Sequence, residues 1–182
     1  MYEESIPKIP SLEALLSGED LKQKLLGGTL NANEFLDGLF KLDQSTDERS
    51  DAIQNVEILT SPEIVDFFNN CEDQDRYHFI LSLSYFHKGQ IQARAVDYME
   101  ARESFKKSLD TAVLISSTDN QPWKDYVAGT VAYFEKDLPK LKIIHNGMQE
   151  EGRNKFILES FINQLEADKG IDYEAALIAA KR

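Results

Sequence analysis

Apolar side chains recur every three or four positions along most of the chain, the spacing of one face of an α-helix. In Glu34–Leu42 these positions are Phe35, Leu36, Leu39, Phe40 and Leu42, and Asn33 can cap the start. From Asp47 a further helix presents Ala52, Ile53, Val56 and Leu59 or Thr60 on one face. Thr60-Ser61-Pro62-Glu63 reads as the next start, with Ser61 as cap, Pro62 at the first helical position, and Thr60 and Glu63 at capping-box spacing. Ile64, Val65, Phe67 and Phe68 follow in that helix. Nearer the N-terminus, after Pro7 and Pro10, Ser11 caps a short Leu12–Leu16 turn. A second short helix then runs to Leu26 and stops at Gly27-Gly28. No stretch alternates with period two over a useful length, so no strand is expected.

The same period continues beyond Asp75. Phe79, Ile80, Leu83 and Phe86 mark a helix over Asp75–Lys88 that Gly89 is expected to end. Ile91, Ala95, Tyr98, Ala101, Phe105, Leu109 and Ala112 fall on one stripe of the next helix. A third helix contains Tyr126 to Tyr133, and its partner starts near Asp137, carries Pro139 in its first turn and stops at Asn146-Gly147. Arg153–Ala167 follows with Phe156, Ile157, Phe161, Ile162 and Leu165 inward. The pattern predicts an all-α protein of eight to eleven helices, with Tyr85, Phe105, Tyr133 and Phe161 buried.

Within this half the chain repeats a motif. Leu81-Ser82-x-x-Tyr85 sets a large apolar, a small and an aromatic residue in order, and Ala101-x-x-x-Phe105 follows in the next helix. Tyr126-x-x-Gly129-Thr130-x-x-Tyr133 repeats the first-helix spacing, and Asp172-Tyr173-Glu174-Ala175-Ala176 echoes Asp97-Tyr98-Met99-Glu100-Ala101. Together these resemble the tetratricopeptide (TPR) repeat, a helix pair of about 34 residues marked W-x2-L-G-x2-Y and then A-x3-F. The resemblance covers residues 74–180, and Gln90–Val96 are seven residues in excess of it. Seven residues make nearly two full turns, so they are expected to lengthen the second helix without rotating its buried face. The implied fold is a short, right-handed TPR-like array of stacked antiparallel helix pairs, with the N-terminal helical region packed on it.

Charge divides the chain more sharply than hydropathy. Of a net −12, residues 1–71 hold 14 acids against 5 bases, a net of −9. This suggests an acidic N-terminal helical region over residues 1–70 and a repeat region over 74–182, expected to form one continuous structural unit. The acidity argues against nucleic acid as a partner. No apolar run approaches the 18 residues of a membrane span, no basic and apolar leader opens the chain, and the expected compartment is the cytoplasm. The single Cys71 excludes an internal disulfide framework and a cysteine-based zinc site.

Chemistry-bearing motifs are few. Leu26-Gly27-Gly28-Thr29 lacks the spacing and lysine of a phosphate loop, and Asp43-x-Ser45-x-Asp47 lacks the glycine and bidentate glutamate of a calcium loop. His78 and His87 stand nine apart, on opposite sides of one helix, while His145 precedes a helix stop. No nucleophile, base and orienter set is legible, so neither an enzyme nor a metal or cofactor is expected.

Binding remains. In TPR proteins the first helix of each pair lines a groove, and the resemblance places Arg76, Phe79, Leu83, Phe86 and His87 there from the first unit. Lys124, Val127, Val131, Phe134 and Glu135 come from the second, and Arg153 opens the third. Arg76, Lys124 and Arg153 are expected along one rim, where they can clamp a carboxylate or acidic peptide end. The alternative is that residues 12–68 cover these apolar positions and make them core. The function expected is a non-catalytic adaptor or chaperone-like module binding a protein or peptide segment. The competing reading is an acidic inhibitor, regulator or immunity-type protein that meets a basic partner through its N-terminal surface.

Overall fold

The computed structural model describes residues 16–44, 51–149 and 151–181, and over these the chain is all-α, without strands. The Ser11-capped turn and the Asp47 start lie outside the described residues. Ten helices follow one another: α1 (Gly18–Leu26), α2 (Ala32–Gln44), α3 (Asp51–Leu59), α4 (Pro62–Asn69), α5 (Asp75–Arg94), α6 (Tyr98–Ala112), α7 (Gln121–Phe134), α8 (Leu138–Gly147), α9 (Arg153–Glu166) and α10 (Tyr173–Ala179). A single 3-10 turn, Thr118–Asn120, leads into α7. None of these helices is long and apolar enough to cross a membrane.

Two starts differ from their sequence reading. Asn31, not Asn33, caps α2: its Oδ1 accepts from the Glu34 N–H at 2.9 Å while Glu34 Oε1 accepts from the Asn31 N–H at 3.4 Å. This reciprocal pair satisfies two helix-end donors at once, which Asn33 cannot do from inside the first turn. At α4, Pro62 occupies the first turn as expected, but Ser61 makes no side-chain cap. The Ser61 and Thr60 hydroxyls instead donate backward to the Ile58 and Val56 carbonyls, closing the end of α3.

The largest difference is in α5. It runs through Gly89 to Arg94, so five of the seven surplus residues lengthen the first helix of the pair and none lengthens the second. Gly89 is no stop. A side chain there would place Cβ 2.9 Å from a ring carbon of Phe105, so the missing Cβ lets α6 approach. The helix ends instead at Arg94, two residues before Val96 takes a left-handed φ of 62°, and Asp97 then caps α6 by accepting from the Glu100 N–H. The same turn recurs forty residues on. Lys136 has φ 56°, and Asp137 caps α8 through the Lys140 N–H. The backbone bonds match one for one: Ala95 to Ile91 and Asp97 to Gln92, then Glu135 to Val131 and Asp137 to Ala132. The structural repeat therefore pairs Gly89 with Gly129, whereas the sequence motif pairs Tyr85 with Tyr133.

Two hydrophobic cores form, and α5 belongs to both. Leu21, Phe35, Leu39, Ile64 and Phe68 enclose one core together with Tyr77, Ile80 and Leu81 from the first half of α5. Phe86 and Ala93 from its second half join Phe105, Val127, Tyr133, Leu158, Phe161 and Tyr173 in the other. The cores thus divide inside one helix, between Leu81 and Phe86, ten or more residues past the change in charge density. Helices α2 and α3 pack on α5, and the Tyr77 hydroxyl donates to the Leu59 carbonyl at 2.6 Å. Phe105, Tyr133 and Phe161 are fully buried. Tyr85 is only half-buried, with the Lys107 ammonium 5.9 Å from its ring centroid.

Candidate functional site

The small residues of the motif do sit at helix contacts, although not opposite one another. Ser82 meets Ser108 across the α5–α6 interface, each hydroxyl donating to the other residue's carbonyl at 2.8 and 2.7 Å. The Trp123 indole N–H adds a donor to Ser82 Oγ at 3.0 Å, which ties the start of α7 to the same point. Ala101 is fully buried one turn before Phe105. These contacts bring α5, α6 and α7 together and leave little of their facing surfaces open.

Most residues expected to line a groove are therefore interior. Val127 is fully buried, and Leu83, Phe86, Val131 and Phe134 are buried with it. Phe86 packs edge-on against Phe105 and Trp123, so it serves the core of the helix pair. Phe79 lies partly buried with its ring edge-on to Trp123, and Glu135 is exposed at the α7 end. The charged candidates turn to different partners. Arg76 pairs with Asp37 of α2, and His87 Nδ1 lies 2.5 Å from the fully buried Asp43 carboxylate. Lys124 donates to the Ile115 carbonyl. Arg153 is exposed beside Phe156, Leu177 and Lys181. Arg76 and Lys124 thus engage partners within the chain, while Arg153 is exposed.

What covers the C-terminal helices is α10. Tyr173 is fully buried, with ring centroids 6.1, 5.7 and 5.9 Å from those of Phe105, Phe134 and Phe161. Its hydroxyl accepts from Gln90 Nε2 of α5 at 3.0 Å, and Arg94 of α5 reaches Glu174 at 3.6 Å. The α10 backbone is held separately. Ser160 Oγ donates to the Ala176 carbonyl at 2.7 Å, and the Gln164 amide bonds both the N–H and the carbonyl of Asp172. Tyr133 completes this cluster, its hydroxyl donating to Gln164 and accepting from the Asp172 N–H. Burial pushes the Tyr173 phenol up to about 12 and the Tyr133 phenol higher still, so both are neutral hydroxyls near pH 7. A cleft of about 300 Å³ remains between α9 and α10, lined by Phe156, Asn163, Ala175 and Ala179 among others.

Electrostatics elsewhere is structural. The Asp75 carboxylate accepts from the Ser116 and Ser117 N–H groups at 2.8 and 3.1 Å, joining the start of α5 to the segment after α6. The Ser116 bond is the main reason its pKa falls below the ordinary 3.8. His78, with Nδ1 unpartnered, is held below the usual histidine value by desolvation, partly offset by Asp75. A lowered carboxyl pKa adds stability that is complete above the unfolded value and lost as pH falls through the folded one. Asp75→Asn should therefore lower the thermal midpoint at pH 7, with the difference from the parent shrinking below about pH 4. Melting curves taken from pH 7 to pH 2 check this, and a constant difference across that range contradicts it.

Among the described residues no three His, Cys, Asp or Glu side chains gather closely enough to hold a metal ion. The contacts on this surface hold α10 in place. Gln90 and Arg94 face side chains, Ser160 and Gln164 face backbone, and an aromatic pocket sits between them. The sequence motif marked the Asp172–Ala176 echo but not Gln90, whose contact spans 83 residues, nor Ser160 and Gln164, whose contacts span 16 and 8. No family model, curated protein or solved structure matches this chain.

Proposed function

We propose that this chain is a non-catalytic helical-repeat protein that mediates protein–protein interaction, its C-terminal helix pairs forming a TPR-like array. The observation carrying the function is that helices α5, α7 and α9 already hold a helix, α10, through residues distant in sequence. The repeat reading is supported by the recurring Asp-capped turn and by Gly89. With Gly89 as the small position, Tyr85-x2-Lys88-Gly89-x2-Gln92 precedes Ala101-x3-Phe105, and the seven-residue surplus disappears. Lys88 and Gln92 depart from the leucine and tyrosine of the family pattern. The partner is a protein or peptide segment.

Affinity capture from native lysate, read by mass spectrometry at low and high salt, tests the proposal. An apolar helix contact should retain the same partner at both salt concentrations. Recovery of no partner argues against an interaction role. A partner lost entirely at high salt favours the acidic surface instead, a second reading that the net −9 of residues 1–71 supports.

A further inference from the structure

We propose that α10 is the resident occupant of a helix-binding site on α5, α7 and α9, and that a partner helix opening with an aromatic residue followed directly by a carboxylate displaces it. The inference rests on the protein–protein reading above and adds the partner's chemistry. Gln90 and Arg94 meet the Tyr173 hydroxyl and the Glu174 carboxylate, side chains adjacent in sequence. Toward this helix and its cap, Ser160 and Gln164 bind only main-chain atoms, at the Ala176 carbonyl and at both backbone polar groups of Asp172. The second set accepts any capped helix start. The first set selects one that reads aromatic then acidic, as Asp172-Tyr173-Glu174 does.

Release of α10 is built into its geometry. Seven residues are too few to stay helical without tertiary support. Tyr173 is the only large side chain of α10 that is fully buried, while Glu174, Ile178 and Ala179 face outward. The segment leading into it holds two left-handed residues, Asp168 at φ 53° and Gly170 at φ 73°, and Asp168 is not a glycine. Undocking lets Asp168 relax from a conformation that side-chain-bearing residues seldom adopt. The receptor side is better fixed, because α5 is shared by both cores and α7 is buried between its neighbours.

The probe is a fluorescein-labelled peptide of residues 169–181, titrated by anisotropy into the full chain. The tethered α10 competes at high effective concentration, so the parent should bind the peptide weakly. Tyr173→Ala in the full chain should bind it at least tenfold more tightly, and the same change in the peptide should abolish binding. Glu174→Arg, which sets a cation against Arg94 at an exposed position, should raise peptide affinity about threefold without touching the core. Circular dichroism confirms that each variant is folded. Equal affinity for parent and Glu174→Arg, or no binding to a folded Tyr173→Ala chain, overturns the proposal. So does hydrogen exchange in which α10 amides are protected as strongly as those of α6 and α7. A lysate partner recovered equally by parent and Glu174→Arg chains would leave the binding function standing while removing α10 from it.

Discussion

Phe105→Ala is expected to lower the unfolding free energy by about 3–5 kcal/mol, the range for removing a buried aromatic ring from a packed core. Phe105 has no exposed surface. Its ring stacks on Phe134 at 5.0 Å, meets Phe86 edge-on at 4.9 Å, and approaches Tyr173 at 6.1 Å. It also covers the bare backbone of Gly89. Those neighbours come from α5, α7 and α10, so collapse around the vacancy would require several helices to move together. The cavity should therefore stay largely open, which places the loss near the upper end of the range. A domain of this kind has a total stability of about 5–15 kcal/mol, so the variant loses a large share of it. Urea denaturation followed by circular dichroism measures the effect, with Met99→Ala as a control. Met99 is 77% exposed on the same helix, and its change should stay within about 0.5 kcal/mol. A Phe105→Ala loss below 1 kcal/mol would mean that the ring is not the centre of the C-terminal core.

Helix existence was legible because each segment buries one face, and a period of three or four residues survives any packing arrangement. Helix ends were less so. Gly89 can stop a helix or admit a neighbour, and local sequence does not separate these uses; the position of Phe105 across the interface does. The sequence reading set the N-cap of α2 at Asn33, and the capping box with Glu34 moves it two residues earlier, to Asn31. Most residues expected to line a groove are interior for a related reason. Val127, Val131 and Phe134 have the spacing of an apolar face, but spacing does not say whether that face stays open. It is closed at its far end by α10, with Tyr173 beside Phe134. The sequence echo at Asp172–Ala176 identified that helix without the cross-chain partners that seat it.

The second large effect is expected at Gly89, and it tests the revised helix pairing directly. Its φ is not among the left-handed ones, so backbone conformation does not require glycine there. Space does. A Cβ would lie 2.9–3.0 Å from three ring carbons of Phe105, and that ring is clasped by Phe86 and Phe134. Gly89→Ala gains about 1 kcal/mol of helix propensity, which offsets part of the clash and leaves a modest net loss. Gly89→Leu adds bulk that this gain cannot offset, and about 3 kcal/mol of destabilisation is expected, the upper end for an overfilled core. Gly28 supplies the contrast, having φ 78° and open space around it; substitution there strains the backbone and spares the packing. If Phe105 is the obstacle, removing it should relieve the leucine. Gly89→Leu combined with Phe105→Ala should then be more stable than the sum of the separate losses predicts, with a coupling of about 1–3 kcal/mol. Additivity within about 0.5 kcal/mol in urea denaturation would place residue 89 away from α6, and the pairing of Gly89 with Phe105 would fall.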